Sequence, residues 1–382
     1  MKEKYKTGAW ADYYMGIKKI KPKSIDWQFL FIVGILLVFG LFILSSASFI
    51  AGQKKFNDQN YYLREQVLKG VLIGIISFFI FLKVPLGFLK KYSFFFLIFS
   101  IGILMLVFIP QLGLSHAGST RWLQIGPISF QPSEILKLSF LIYLAARLES
   151  RQKDLEKFSH GLLPFLIVIG IIGLLLLMQP NFGTFTVIAL SAAAVYFVAG
   201  GRVSHLALIT FMGIAIFFVF IFLKPYGAER LKVFLDRGTD VAGSSYQINQ
   251  AISSIGVGGL AGIGVNQNLH SAYLPEPIGD SIFAVLGEKL GLLGISFVLA
   301  LYVLFAIFGY RIAIKSHDSF NKLLAVGITS WILIQSFINI AAISGLAPLT
   351  GVPLPFISYG SSGLVINIIG ASIIANISRY IT

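Results

Sequence analysis

The chain has 382 residues, of which 56% are hydrophobic and only 12% charged, against about 25% charged in an ordinary soluble domain. Its apolar residues gather in runs long enough to cross roughly 30 Å of hydrocarbon, which takes about 20 helical residues each, so a soluble fold is excluded. With no cysteine there can be no disulfide or thiolate nucleophile, and the formal charge of +14 matches the Lys and Arg excess of cytoplasmic loops, so no nucleic acid partner is implied.

Residues 1–26 form a basic tail, with seven lysines from Lys2 to Lys23. No small-residue cleavage site follows the first apolar run, so the segment reads as a cytoplasmic tail and not as a signal peptide. Apolar runs then fall at Trp27–Ile50, Val67–Leu86, Ser93–Ile109, Ser133–Leu148, Gly161–Met178, Gly183–Val198, His205–Leu223, Ser281–Arg311, Leu323–Ser344 and Phe356–Tyr380. The predicted fold over 27–382 is therefore all-α, a polytopic membrane domain of about ten transmembrane helices. An even number of spans puts both termini on one side. The tail, Lys83/Lys90/Lys91, Arg147–Lys157, Arg202, Arg311–Lys322 and Arg379 share one face, which the distribution of basic residues places in the cytoplasm.

Between the seventh and eighth runs lies a large outer-face loop, 224–280. It is not low in complexity: Tyr246–Ile255 has the pattern of an amphipathic helix, and Gly256–Gly264 is rich in glycine, suited to tight backbone turns. An ordered outer subdomain is expected from such a long connection.

The loop before the fourth run contains Arg121-Trp122 and then Gln131-Pro-Ser-Glu134-Ile-Leu-Lys137. Pro132 suits a first helical turn, so Glu134 and Lys137 fall on one face of a helix near the outer boundary. A charged pair there is costly unless neutralised or wetted, so it is either an ion pair locking helices or a substrate contact. Arg121 is an interfacial anchor or a phosphate fork. Asp280, at the end of the outer loop and the start of the eighth run, is a capping carboxylate, a catalytic one, or both. Glu288 and Lys289 are adjacent and so point to different helix faces; each needs its own partner. Pro353–Gly363 reads either as a broken helix start that lets backbones pack closely or as a polar substrate path. The five histidines lack metal-ligand spacing, and no phosphate-binding G-x-x-x-x-G-K-[ST] loop exists, so no nucleotide cofactor is implied.

Taken together, Ser45-Ser-Ala-Ser48, Arg121-Trp122, Gln131-Pro-Ser-Glu-x-x-Lys137, Ser245-Tyr-Gln247, Leu274-Pro-Glu…Asp280 with Phe283-Ala-Val, and Pro355-Phe-Ile-Ser-Tyr-Gly360 resemble the shape, elongation, division and sporulation family of the FtsW and RodA types. The resemblance runs from the first span to the last, and Gly118–Trp122 looks more like the division type. It implies a peptidoglycan glycosyltransferase that polymerises lipid II on the outer face of the bacterial cytoplasmic membrane, both termini inside. It further implies a class B penicillin-binding protein as partner, other divisome or elongasome proteins around it, and a divalent cation, Mg²⁺ or Mn²⁺. The catalytic carboxylate maps onto Asp280, as general base. Substrate contacts map onto Arg121, Gln131, Ser133, Glu134, Lys137, Tyr246, Gln247, Glu276, Ser358 and Tyr359. Departures are Ser281 after Asp280 where an aromatic is usual, Lys289 where a second acid often follows Glu288, and the order Gly360-Ser-Ser-Gly363. A different class of function is translocation of the same lipid-linked precursor, a flippase, which requires polar groups at several depths. Asn181, Gln335, Asn339, Asn367 and Asn376 are compatible with such a route.

Overall fold

A computed structural model of the chain describes residues 24–116, 119–126, 128–223, 231–234 and 244–381. The basic tail up to Lys23 and part of the outer loop, 224–230 and 235–243, lie outside the described residues. Each of the ten apolar runs is carried by a helix: α1 Trp27–Phe56; α2, made of Tyr61–Glu65, Gln66–Leu72 and Ile73–Phe81; then, after a short α3 Leu86–Lys91, α4 Ser93–Leu106. These are followed by α5 Pro132–Ser150, α6 Phe158–Met178, α7 Phe182–Val198 and α8 Val203–Leu223. The amphipathic α9 Ser244–Val257 precedes α10 Ile282–Lys315, α11 Ser319–Ile343 and α12 Ser361–Ser378. Among the described residues, α1, α6, α10, α11 and α12 are each long and apolar enough to cross a membrane unaided.

α11 and α12 bury most of their length, whereas α1, α6 and α10 leave most of theirs exposed. The exposed side chains include Phe31, Phe42, Ile167, Leu174, Leu293 and Val303, which suits a lipid-facing surface around two central helices. The centre also carries polar side chains that only helix-to-helix bonds can satisfy. Asn376 Nδ2 donates to the Phe81 and Val84 carbonyls at 3.0 and 2.8 Å, and Ser372 Oγ to the Phe78 carbonyl at 2.7 Å, tying α12 to the end of α2.

Two faces follow from the contacts. On one, Asp26 caps α1 by accepting from Phe29 N–H, pairs with Arg311 at the end of α10, and its own N–H donates to Ser378 Oγ at the end of α12. Both ends of the described chain therefore share a face, and Lys90–Glu149 at the end of α5 lies there too. On the other face, Gln131 at the start of α5 meets Ser362 at the start of α12, and Gln66 takes the Gly360 N–H at 3.1 Å.

Three features depart from an uninterrupted bundle. The loop before α5 folds into a small antiparallel sheet in the order β1 Gly113–His116, β2 Ser119–Ile125, β3 Ile128–Phe130, with Leu123 fully buried beneath it. Gln66–Leu72 is π-helical, a local widening often found near functional sites; it turns Gln66 toward the 358–360 backbone. Most consequential, the eighth run is not one continuous span, because Gly291 has φ 61, ψ −157 and breaks α10. At about 1.5 Å per residue the 34 residues would measure roughly 50 Å, well beyond the hydrocarbon. The break leaves 292–315 as the spanning piece and sets 282–290 as a separate outer piece.

The glycine-rich stretch satisfies that break. Leu292 and Leu293 N–H donate to the Gly259 and Leu260 carbonyls, and Ile263 and Gly264 N–H to the Glu288 and Lys289 carbonyls. Backbone passes backbone so closely that a Cβ on Gly258 would lie 1.9 Å from the Gly287 carbonyl oxygen, and one on Gly262, at φ +81, 2.1 Å from that of Lys289. Glycine is required at both by space, and at Gly262 by conformation as well. Irregular backbone at the edge of a membrane persists only where its polar groups find such partners.

Candidate active site around Asp280

Asp280 sits in the turn between the outer loop and α10. The cap position of α10 is Ser281, so Asp280 lies one residue before the cap, and it is half-buried. Its surroundings come from three separate elements. From α9, Gln247 Nε2 approaches Asp280 Oδ1 at 3.4 Å and donates to Ser281 Oγ at 3.0 Å. From α11, Asn339 Nδ2 donates to both the Asp280 and Val352 carbonyls at 2.8 Å. From the segment before α12, Ser358 Oγ donates to the Gly279 carbonyl at 2.7 Å and Tyr359 N–H to the Ile278 carbonyl at 2.8 Å. The broken start of α12, with Phe356 at φ 65 and Gly360 at φ 151, is what frees these groups to reach sideways. The turn is thus held rigidly through its backbone while the carboxylate stays partly open, the arrangement a general base needs.

One helical turn along α11 from Asn339, Gln335 holds the second charged group. Lys137 Nζ lies 2.8 Å from Glu134 Oε1 and donates to Gln335 Oε1 at 2.6 Å, with the Trp331 ring 5.1 Å away. Gln335 Oε1 also accepts from Trp331 Nε1, and its Nε2 donates to the Pro353 carbonyl, both at 2.9 Å. Glu134 and Lys137 are each 2% exposed. The pair predicted from their three-residue spacing therefore forms, and it locks α5 to α11. One oxygen, Glu134 Oε2, is buried with no hydrogen-bond partner, a group whose desolvation costs about 1–3 kcal/mol or more.

The remaining predicted residues are distributed unevenly. Gln131 occupies the N-cap position of α5 without a side-chain capping bond, and its N–H meets Ser362 Oγ; Ser133 Oγ is buried without a partner. Tyr246 is exposed and its hydroxyl donates to the Tyr273 carbonyl at 3.2 Å. Glu276 is exposed at φ 49, and its charge adds to burial in raising the Tyr62 phenol. Tyr62 packs edge-on against Tyr359 at 5.1 Å, and Phe56 stacks on Tyr61 at 3.7 Å, so an aromatic ledge borders the site. Arg121 lies on β2 and donates from Nε and Nη2 to the Gln179 and Pro180 carbonyls at the end of α6, bracing the sheet against the α6–α7 turn.

Glu288 and Lys289 take separate hydrogen-bond partners, yet against the expectation from their adjacency they also pair with each other, Lys289 Nζ lying 3.9 Å from Glu288 Oε1. Fully buried Glu288 accepts from Leu269, His270 and Ser271 N–H and from Ser271 Oγ at 2.7–3.1 Å. Lys289 donates to the Gln267 carbonyl and to Asn268 Oδ1. Together they fasten 267–271 to α10. Sequence reasoning missed Gln66 and Trp331 altogether, and took Asn339 and Gln335 only as amides of a possible route. The signal available for Gln66, Gln335 and Asn339 was a polar side chain beside or inside an apolar run.

The comparisons with known proteins agree with this architecture. A family profile described as "Cell cycle protein", covering FtsW, RodA and SpoVE, matches residues 27–382. Stage V sporulation protein E of Bacillus subtilis is 36% identical over 361 residues, 94% of this chain and 98% of that protein. A probable peptidoglycan glycosyltransferase FtsW of Geobacter sulfurreducens is 32% identical over 366 residues, 95% and 98% of the two chains. Among solved structures, a chain from work on "structural coordination of polymerization and crosslinking by a peptidoglycan synthase complex" superposes with a TM-score of 0.77 at 25% identity, covering 93% of this chain and 98% of that one. RodA of Thermus thermophilus superposes at 0.69 and 23% identity, over 93% and 97%, and shares the fold. The fold and site define a multi-pass membrane protein. This chain belongs to the FtsW/RodA/SpoVE family.

Proposed function

We propose that this chain is a peptidoglycan glycosyltransferase that polymerises lipid II into glycan strands on the outer face of the bacterial cytoplasmic membrane, with both termini inside. The observation that carries the proposal is Asp280: a half-buried carboxylate in a turn anchored by Gln247, Asn339, Ser358 and Tyr359, on the face opposite the chain's ends. The name of the Geobacter relative supports it, and the similarity to a chain of a peptidoglycan synthase complex that couples polymerization to crosslinking makes a class B penicillin-binding protein the expected partner alongside other divisome or elongasome proteins.

In the reaction, the acceptor sugar's 4-hydroxyl oxygen attacks the donor's anomeric carbon. That carbon–oxygen bond forms as the bond to the polyprenyl pyrophosphate breaks, the electron pair leaves with the pyrophosphate, and Asp280 takes the hydroxyl proton. Attack from the opposite side converts an α-linked donor to a β-linkage. Gln247 and the turn's backbone anchors orient the carboxylate, and the aromatic ledge of Tyr61, Tyr62 and Tyr359 offers flat apolar surface at the site's edge. Arg121 has guanidinium donors beyond the two it spends on carbonyls, while Lys137 is enclosed by Glu134, Gln335 and Trp331.

Among the described residues, no group of three or more His, Asp or Glu is placed to hold a metal ion. With the described residues alone, a divalent cation, Mg²⁺ or Mn²⁺, would be carried chiefly by the substrate's phosphates with a single protein carboxylate. Bound there, it would neutralise charge on the leaving group.

Translocation is less well supported. Three of the buried amides that kept it open, Gln335, Asn339 and Asn376, are engaged with carbonyls or side chains of neighbouring segments, bracing helices together.

The test is glycan polymer formed from lipid II by the purified chain with its crosslinking partner. Asp280→Asn should lower polymerisation by roughly 10²–10⁴-fold with the complex intact by size exclusion. Polymer yield unchanged in Asp280→Asn removes the residue from the chemistry.

A further inference from the structure

At the end of α5 farthest from Asp280, a shallow open cleft separates α5 from the start of α6. Its floor is apolar, from buried Phe140, Leu144 and Phe165, and its rim carries Arg147, Arg151 and His160. Three carboxylates lie in the neighbouring connection, and each bonds another cation: Glu149 to Lys90 at 2.8 Å, Asp154 to Lys157 at 2.9 Å, Glu156 to Arg202 at 2.9 Å. Asp154 also feels Arg151 and His160 through space, after Lys157, and its carboxyl is drawn below the usual range. Among the described residues Arg147 and Arg151 make no ion pair, so two guanidiniums border a greasy hollow with their charge unmatched by any bonded carboxylate. Beside the hollow, Phe158, Leu163, Ile167 and Ile171 are exposed along α6, so apolar surface flanks the cleft.

We infer that this cleft binds the headgroup of an anionic phospholipid, its phosphate in the Arg147–Arg151 fork and an acyl chain along the apolar wall of α6. A guanidinium pair matches phosphate oxygens bidentately, and basic pockets between membrane helices are suited to such headgroups. An apolar floor continuous with the lipid-facing side chains favours a lipid over a free anion, because a free anion gains nothing from that wall. The inference does not depend on the transferase reading, since the cleft is remote from Asp280 and its test reads lipid and not glycan.

The experiment uses the full chain reconstituted in phosphatidylcholine nanodiscs containing a known fraction of phosphatidylglycerol, released into mild detergent, with retained lipid counted by native mass spectrometry. The native chain should retain phosphatidylglycerol over phosphatidylcholine by roughly tenfold or more. Arg147→Gln with Arg151→Gln should abolish that preference, whereas Lys153→Gln with Lys157→Gln, the same change in net charge outside the cleft, should leave it. Loss of preference in both double variants equally means general surface charge and overturns the site. Displacement of the lipid by millimolar inorganic phosphate alone means a small-anion site and overturns the lipid assignment. Should the arginine variant fail to fold, the native chain decides by itself: no preference for phosphatidylglycerol sinks the inference.

Discussion

The buried Lys137 ammonium is the group on which residue-scale energetics turn, because its solvation comes wholly from Glu134, Gln335 and the Trp331 face. Removing one partner of such a pair leaves an uncompensated charge, at a cost of about 3–5 kcal/mol, while replacing both is far milder. Lys137→Met should therefore lower the thermal midpoint in detergent sharply, and Glu134→Gln with Lys137→Met should recover most of it. Polymerisation that also returns in the double variant assigns the pair to the framework; stability restored without activity assigns it to the substrate. Tyr359 offers a second residue-scale test. Burial, then Glu65 and the neighbouring tyrosines, push its phenol from 10.0 to about 12. An unfolded chain releases that proton first, so the contribution to stability is complete below pH 10 and is lost as pH rises from about 10 to about 12. Chemical denaturation across that window should fall less steeply for Tyr359→Phe than for the native chain.

Among the elements, the α10 break and its glycine-rich brace form one unit. The long apolar run was legible as a helix, yet nothing in its periodicity could place the interruption at Gly291, because the partner that stabilises the break lies some 30 residues earlier in the chain. The 113–130 sheet is a local case: its short strands pair with immediate sequence neighbours and are too brief for alternation to mark them. Gly262→Ala places a methyl against the Lys289 carbonyl at a left-handed position and should cost about 1–3 kcal/mol. Hydrogen exchange should then show faster turnover of the Ile263, Gly264, Leu292 and Leu293 amides, with those of α11 unchanged. Uniform loss of protection across α11 as well would mean that the unit is not separable from the bundle.

For the whole molecule, orientation is the property on which the proposed chemistry depends. The chain has no cysteine, so single introduced cysteines report accessibility without background. Gln53→Cys, in the last turn of α1 at the Asp280 end, should react with a membrane-impermeant maleimide in intact cells. Lys153→Cys, beside the phospholipid cleft, should react only after permeabilisation. The reverse pattern would turn Asp280 toward the cytosol and end the transferase proposal.

The all-α membrane class, the Glu134–Lys137 pairing and the amphipathic α9 were readable from sequence, because hydrocarbon thickness and helical spacing act locally on consecutive residues. Family motifs added Asp280, Gln247, Ser358 and Tyr359 as a set. Only the tertiary structure decided how they meet: that Asn339 and Ser358 grip the Asp280 turn through its backbone, that Arg121 braces the α6–α7 turn, and that Arg147 and Arg151 make no ion pair among the described residues. Those outcomes depend on which carbonyl or charge arrives from a distant segment, and side-chain hydrogen bonds between distant segments leave no periodic trace in either partner's sequence.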